Sequence, residues 1–248
     1  MAGVLLVTGG SRGIGAAICR LGGRRGYRVA INYKQSADRA RGVVDTIRAD
    51  GGAAVAIQGD VTSETDIVRM FDELDRTVGP ITALVNNAGG GVGLGPIDQV
   101  TTQQLDAVIG LNLTGPILCA REAIRRMSID YGGTGGAIVN VSSMSAFNGG
   151  FAGLVTYAAA KGGLESFTIG LANEVGPKGI RVNCIRLGAI ETDAHAADSP
   201  EWRAAMTQTI VLTRYGNPEE VAETAMFLLS DAASYITGTI LNVSGGRR

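Results

Sequence analysis

Val4-Leu5-Leu6-Val7-Thr8-Gly9-Gly10-Ser11-Arg12-Gly13-Ile14-Gly15 is the stretch that decides the architecture. Four apolar residues without polar alternation read as a strand buried on both faces. After the glycine-rich turn, Ile14, Ala17, Ile18 and Leu21 recur at the spacing of one helix face. Glycines between a strand and a helix let the backbone approach a pyrophosphate at the helix N-terminus. The spacing is G-x-x-x-G-x-G. No Gly-Lys-Ser/Thr follows, so this is not a Walker A loop. Such a turn is also the simplest way to reverse a chain. Its place at the opening of a β–α unit gives it weight.

The same alternation continues along the chain. Strands are expected at Arg28–Tyr33, Ala53–Gln58, Ala83–Asn86, Ala137–Val141, Ile180–Ile185 and Ile240–Val243. Helices are expected at Ala37–Asp50, after Ser63, from Thr101 to about Met127, from Thr156 to about Val175, and after Asn217. Ser63 with Asp66 resembles a capping box, and Thr101 with Gln104 opens the long helix. Asn217-Pro218-Glu219-Glu220 is a strong helix start, with an N-cap, Pro in the first turn and carboxylates near the positive end of the dipole. Valine- and isoleucine-rich strands between helices imply a parallel sheet covered on both faces. The expectation is one α/β domain over residues 1–248, doubly wound, with about seven strands. Residues 187–211, the least regular stretch, read as a variable loop with short helices over a site. They hold the single His195 and the single Trp202.

Composition narrows the function. The 248 residues carry a formal net charge of −1, which gives no general electrostatic grip on nucleic acid. No continuous apolar run approaches the ~20 residues of a membrane span. Met1-Ala2-Gly3 leads straight into the first strand without a charged n-region, so no signal peptide is read. Cys19, Cys119 and Cys184 are scattered and odd in number, which suggests reduced thiols in a cytoplasmic protein. One histidine excludes a His-rich zinc site. Glycine supplies 37 residues, about twice the usual share, placed at the ends of apolar runs.

Three further groups carry chemistry. Tyr157 and Lys161 lie four apart on an expected helix, hence on one face. A phenol is a poor acid or base near pH 7, and a neighbouring ammonium favours the phenolate. Ser142-Ser143 ends the fifth strand, at the carboxyl edge where doubly wound folds bind ligands. Asn86-Asn87-Ala88-Gly89 follows the fourth. Each alone also fits a bland role: a solvated lysine, a serine satisfying a strand end, a polar turn.

Together these residues resemble the short-chain dehydrogenase/reductase family over essentially the whole chain. Thr8-Gly9-x-x-x-Gly13-x-Gly15 matches its cofactor fingerprint, and Asn86-Asn87-Ala88-Gly89 its strand-four motif. Asn112, Ser143, Tyr157 and Lys161 match its catalytic set; between the two serines, Ser143 is the choice. Gly59-Asp60-Val61 resembles the segment that contacts the adenine. Val243-Ser244-Gly245-Gly246 resembles the C-terminal strand region. The resemblance implies cofactor contacts from Gly9, Ser11, Arg12, Gly13, Ile14, Gly15, Asn32, Tyr33, Lys34, Asp60, Val61, Asn87, Ala88, Gly89, Tyr157, Lys161, Gly188, Ile190 and Thr192. It implies hydride transfer between a nicotinamide and a carbonyl or alcohol carbon. Tyr157 would exchange the proton, Ser143 would polarise the oxygen, and Lys161 would hold the ribose and lower the Tyr157 pKa. Asn112 would position a water through a distortion of its helix. A homotetramer is also implied. Small residues Ala158, Ala159, Ala160, Gly162 and Gly163 offer a face for a partner or for packing within the subunit. Leu187-Gly188 stands where the family has Pro-Gly, which frees φ and adds an N–H, so a slightly altered loop is expected.

Cofactor choice follows from the end of the second strand. Ile31-Asn32-Tyr33-Lys34-Gln35-Ser36 has no acid to receive a ribose 2′-hydroxyl, and Lys34 and Arg12 would attract a 2′-phosphate. NADP(H) is expected over NAD(H). The substrate is expected to be a small carbonyl or alcohol. Rival readings are a 3-oxoacyl-acyl-carrier-protein reductase, a sugar dehydrogenase and a catalytically silent NADP(H) sensor. Carrier docking would use Arg125, Arg126 and Lys178, weakened by Asn173 where the family commonly has Arg. No metal site is expected.

Overall fold

The computed structural model describes residues 3–91, 95–193, 196 and 198–247. The opening strand β1 (Val4–Val7) is buried at every position. Leu5 and Val7 enter one core while Val4 and Leu6 enter the other. Parallel neighbours flank it: β2 (Arg28–Tyr33) on one side and β4 (Ala83–Asn86) on the other. The full order is β3-β2-β1-β4-β5-β6-β7, with β3 (Ala53–Gln58), β5 (Gly136–Ser143), β6 (Ile180–Leu187) and β7 (Ile240–Val243), and every pairing is parallel. The chain runs outward from β1 to β3, then crosses to β4. The switch point therefore falls between β1 and β4, where such sheets open a crevice at their carboxyl ends.

Helices α1 (Gly13–Arg24), α2 (Ala37–Ala49) and α9 (Pro218–Leu229) cover one face. Ile18, Val43, Ile47 and Met226 pack there against Val29, Ile31 and Val139. Helices α3 (Glu64–Thr77), α5 (Gly115–Met127) and α7 (Val155–Val175) cover the other, where Phe71, Leu74, Ala123 and Leu171 meet Leu84, Ile138 and Val182. Cys19, Cys119 and Cys184 are free and buried, acting as small apolar residues; burial pushes the Cys119 and Cys184 thiols up to about 12.

The caps form largely as expected. Thr101 and Gln104 make a reciprocal capping box, as do Asn217 and Glu220. Ser63 accepts from the Asp66 N–H, but the Asp66 carboxylate accepts from the Asp60 N–H instead of completing the box. Two strands run further than the sequence pattern suggests. Ser142 and Ser143 stay in β5, and Arg186 and Leu187 stay in β6, because each pairs with the other strand. Leu187 also pairs with Val243 and is buried in the core, so the residue standing for Pro continues the sheet. The helix begun at Thr101 runs to Met127 in three parts: α4 (Thr102–Ile109), a π-helical turn Gly110–Thr114, and α5. By length and composition alone that continuous helix could cross a membrane. Here Cys119, Ala120, Ala123 and Met127 bury one side of it against the sheet.

Candidate active site

The carboxyl ends of β1, β2 and β4 are stitched together before any ligand is considered. Thr8 Oγ1 accepts from the N–H groups of Asn87 and Ala88, both at 3.0 Å. Asn87 Nδ2 donates back to the carbonyls of Thr8 at 2.9 Å and Gly9 at 3.2 Å. Asn32 Oδ1 accepts from the Gly9 N–H at 3.2 Å, and its amide donates to the Gly59 carbonyl at 2.9 Å. Asn32 and Asn87 are thus framing residues whose side chains already serve the backbone. Gly9 and Gly13 adopt φ of +63° and +51°, a region that favours glycine. A side chain at Gly15 would sit 2.4 Å from the Gly9 carbonyl oxygen, so the turn must close on bare backbone there. The result is a turn of main-chain amides at the start of α1, the arrangement that receives phosphate.

Other expected contact residues divide into rim and interior. Lys34 pairs with Asp60 at 2.6 Å on the rim, and Asp60 also accepts from Thr62. Arg12 sits at the N-cap of α1, largely exposed. Val61 and Ile190 are buried core residues; Tyr33 and Ile14 are partly buried against the core. Ile190 forms an isolated bridge with Gly216, which anchors the start of the expected variable loop. That loop carries helix α8 (Pro200–Gln208), capped by Ser199. A Cβ at Gly13 would lie 3.4 Å from the Thr192 methyl, so the loop's first residues lean over the glycine turn. A Cβ at Gly188 would meet Ser244 Cα at 2.8 Å, which requires glycine for the close approach. His195 lies outside the described residues.

Ser143, Tyr157, Lys161 and Asn112 converge. Ser143 lies beside the Tyr157 hydroxyl and favours its ionised form, while Ser143 Oγ accepts from the Ser145 N–H at 3.2 Å. The Lys161 ammonium lies 5.8 Å from the Tyr157 ring centroid and donates to the Val141 carbonyl at 2.8 Å. Lys161 is buried, and desolvation holds its pKa down to about 8. Asn112 is fully buried; Nδ2 donates to the carbonyls of Gly90 and Val108, both at 3.0 Å, and Oδ1 accepts from the Gly90 N–H at 3.1 Å. The helical distortion expected at Asn112 is the π-turn. The Gly115 N–H reaches back to Gly110, and Pro116 has no N–H to give the Asn112 carbonyl four residues earlier. Pro116, not singled out from the sequence, is the local signal that could have marked that distortion. The segment after β4 and the lysine meet at Gly89, where a Cβ would lie 3.0 Å from Asn112 Oδ1 and 3.1 Å from Lys161 Nζ.

The two serines part company. Ser142 Oγ donates to Glu165 at 2.8 Å on the covered side of β5, and Glu165 in turn receives Arg186 through two bonds of 2.8 and 2.6 Å. Ser143, one residue on, points the opposite way because side chains alternate along a strand. Glu165 and Arg186 were not singled out from the sequence; they lie on different elements and only the fold pairs them. One expectation is corrected. Burial is the largest influence on Tyr157 and pushes its pKa above the ordinary phenol value, with Ser143 pulling the other way. Removing the phenolate from water is the dominant effect.

Residues 9–248 match the family model described as enoyl-(acyl carrier protein) reductase. The chain is 43% identical over 245 residues to the uncharacterized oxidoreductase YgfF of Escherichia coli, covering 98% of this chain and 99% of that one. It is 39% identical over 250 residues to a 3-oxoacyl-[acyl-carrier-protein] reductase of Synechocystis, covering 98% and 96%. A short-chain dehydrogenase from Burkholderia cenocepacia, solved in complex with NADP, superposes with a TM-score of 0.90 at 36% identity, covering 98% and 96%. The protein is an oxidoreductase by fold and relatives. It belongs to the short-chain dehydrogenase/reductase family.

Proposed function

We propose that this chain is an NADP(H)-dependent reductase or dehydrogenase that interconverts a carbonyl and a secondary alcohol. The observation that carries the reading is the convergence of Ser143, Tyr157 and the Lys161 ammonium, which lies over the Tyr157 ring. The residues fit a dinucleotide. Gly9, Gly13 and Gly15 leave bare backbone at the start of α1, and Gly89 leaves room beside Lys161 and Asn112. The Burkholderia relative was solved with NADP. Ser11, Arg12, Gly13, Ile14, Asn87, Ala88, Gly89, Gly188 and Thr192 would hold it, and when bound it supplies or accepts the hydride.

The protein's own part is positioning and proton movement. Ser143 donates toward the substrate oxygen and Tyr157 exchanges the proton at that oxygen. Burial keeps the Tyr157 hydroxyl protonated near neutral pH but also makes it a weaker acid, so proton transfer draws on Ser143 and the Lys161 ammonium beside it. Lys161, drawn to about 8, carries a proton that it can release near neutral pH. The Asn112 side chain fixes Gly90, and with no N–H from Pro116 its carbonyl would hold a water behind Lys161.

The acyl-carrier reading has a relative in its favour but little surface. Arg126 is partly buried and paired with Asp72, Asp75 and Glu122, and Arg125 is tied to Glu122. A small-molecule substrate is the better account. Self-association fits α7, where Val155, Ala159, Ser166, Ile169 and Gly170 form an exposed stripe of mostly small residues. Ala158 and Ala160 turn inward instead, and Gly163 packs near Leu113.

The experiment is absorbance loss with NADPH, then NADH, against acetoacetyl thioester, diketones and ring ketones. Tyr157→Phe should lower turnover by about 10²- to 10⁴-fold while NADPH binding persists. Turnover that survives the substitution would refute the assignment.

A further inference from the structure

We propose that Arg39 and Asp193 set this chain's preference for a 2′-phosphorylated cofactor: Arg39 joins Arg12 in gripping the phosphate, and Asp193 holds that anion position until the phosphate displaces it. The inference rests on the NADP(H) reading above.

Two guanidiniums from different elements converge on one atom. Arg39, in the first turn of α2, places NH1 2.6 Å from Asp193 Oδ2. Arg12, at the N-cap of α1, places its NH1 3.9 Å from the same oxygen. This point lies between the glycine turn and the end of β2, the side on which the adenine ribose must sit if the pyrophosphate lies on the glycine turn. Asp193 follows Thr192, which leans over Gly13. The carboxylate therefore approaches from the substrate loop, on the open side of the cradle.

Charge favours the exchange. Two guanidiniums and one carboxylate leave a net positive charge, whereas a phosphomonoester near pH 7 carries close to two negative charges. It also offers three oxygens to two planar donor forks. Lys34, the cation the sequence points to first, is less available. Its ammonium lies 2.6 Å from Asp60, and that carboxylate is fixed by the Thr62 N–H at 2.9 Å and hydroxyl at 2.8 Å. Asp38, next to Arg39, is taken up by Arg41. Arg12, Arg39 and Asp193 are all more than half exposed, so their pairing is exchangeable and salt-sensitive.

The test is calorimetric binding of 2′,5′-ADP and 5′-AMP, which lack the nicotinamide, together with NADPH and NADH. Wild type, Arg39→Ala, Asp193→Asn and the double variant would be compared. Arg39→Ala should weaken 2′,5′-ADP and NADPH by about tenfold, the scale of a lost charged hydrogen bond, and leave 5′-AMP and NADH within about twofold. Asp193→Asn should tighten 2′,5′-ADP several-fold, and most of that gain should vanish in the double variant. Equal weakening of both nucleotides by Arg39→Ala, or no tightening by Asp193→Asn, overturns the proposal. Wild-type protein that prefers 5′-AMP and NADH would instead overturn the cofactor reading, and that result is visible before any variant is made.

Discussion

The Lys161 ammonium donates to the carbonyl of Val141 at 2.8 Å, across from the helix that carries it to the strand that carries Ser143. One bond therefore ties the lysine to the serine's own strand, two residues before the serine. The same lysine is buried, and desolvation dominates its titration.

That arrangement has a pH signature. Lys161 titrates near 8 in the folded protein and near 10.4 in an unfolded chain. Between these values the unfolded state binds more protons, so this residue makes stability rise with pH across that window. Below pH 8 its destabilising effect is fully present. Urea unfolding of wild type and Lys161→Met at intervals from pH 7 to 10 should show the variant's relative stability falling as pH rises. Parallel curves would mean that the ammonium is not desolvated as the structure has it.

Ser142 and Ser143 should separate by what they damage. Ser143→Ala removes a donor aimed at the reacting oxygen and should lower kcat by about 10²- to 10³-fold with little change in unfolding. Ser142→Ala removes a bond to Glu165 that Arg186 still neutralises. It should lower stability by about 1 kcal/mol and leave kcat within about threefold, since the charge pair persists. Steady-state kinetics and denaturant melts on both variants decide the matter; equal losses of kcat would merge the two roles.

Gly89→Ala tests the close approach beside Lys161. The backbone there is not in the left-handed region, so the chain tolerates alanine, but the new methyl presses on Asn112 Oδ1 and Lys161 Nζ. Displacing a positioned group by under an ångström should lower kcat by about 10- to 100-fold, with the melting temperature nearly unchanged. Wild-type kcat in a correctly folded variant would show that the lysine has room to move.

The strands were legible because their burial is written into the residue type. Val4–Val7, Arg28–Tyr33, Ala53–Gln58, Ala83–Asn86 and Ile240–Val243 have the bounds their apolar runs suggest. Those of β5 and β6 were short, since Ser142, Ser143 and Arg186 are polar and only the neighbouring strand's hydrogen bonds keep them in the sheet. The break in the long helix was expected at Asn112, and Pro116 gives its local cause.

The candidate site follows the same division. Tyr157 and Lys161 share a helix, and their spacing of four places them together in any α-helix. Glycine positions likewise carry their own explanation, because a missing Cβ is a local fact. The Glu165–Arg186 pair, the Asn32 clasp on Gly9 and Gly59, and the meeting of Arg39 with Asp193 join residues 21 to 154 positions apart. Short-range periodicity has no bearing on such pairs. The sequence by itself determined the alternation of buried strands and helices and the chemistry at their ends. Which charges meet, and which serine faces the tyrosine, was decided only by tertiary structure, because parallel pairing sets the strand ends side by side and burial then forces each polar group to find a partner.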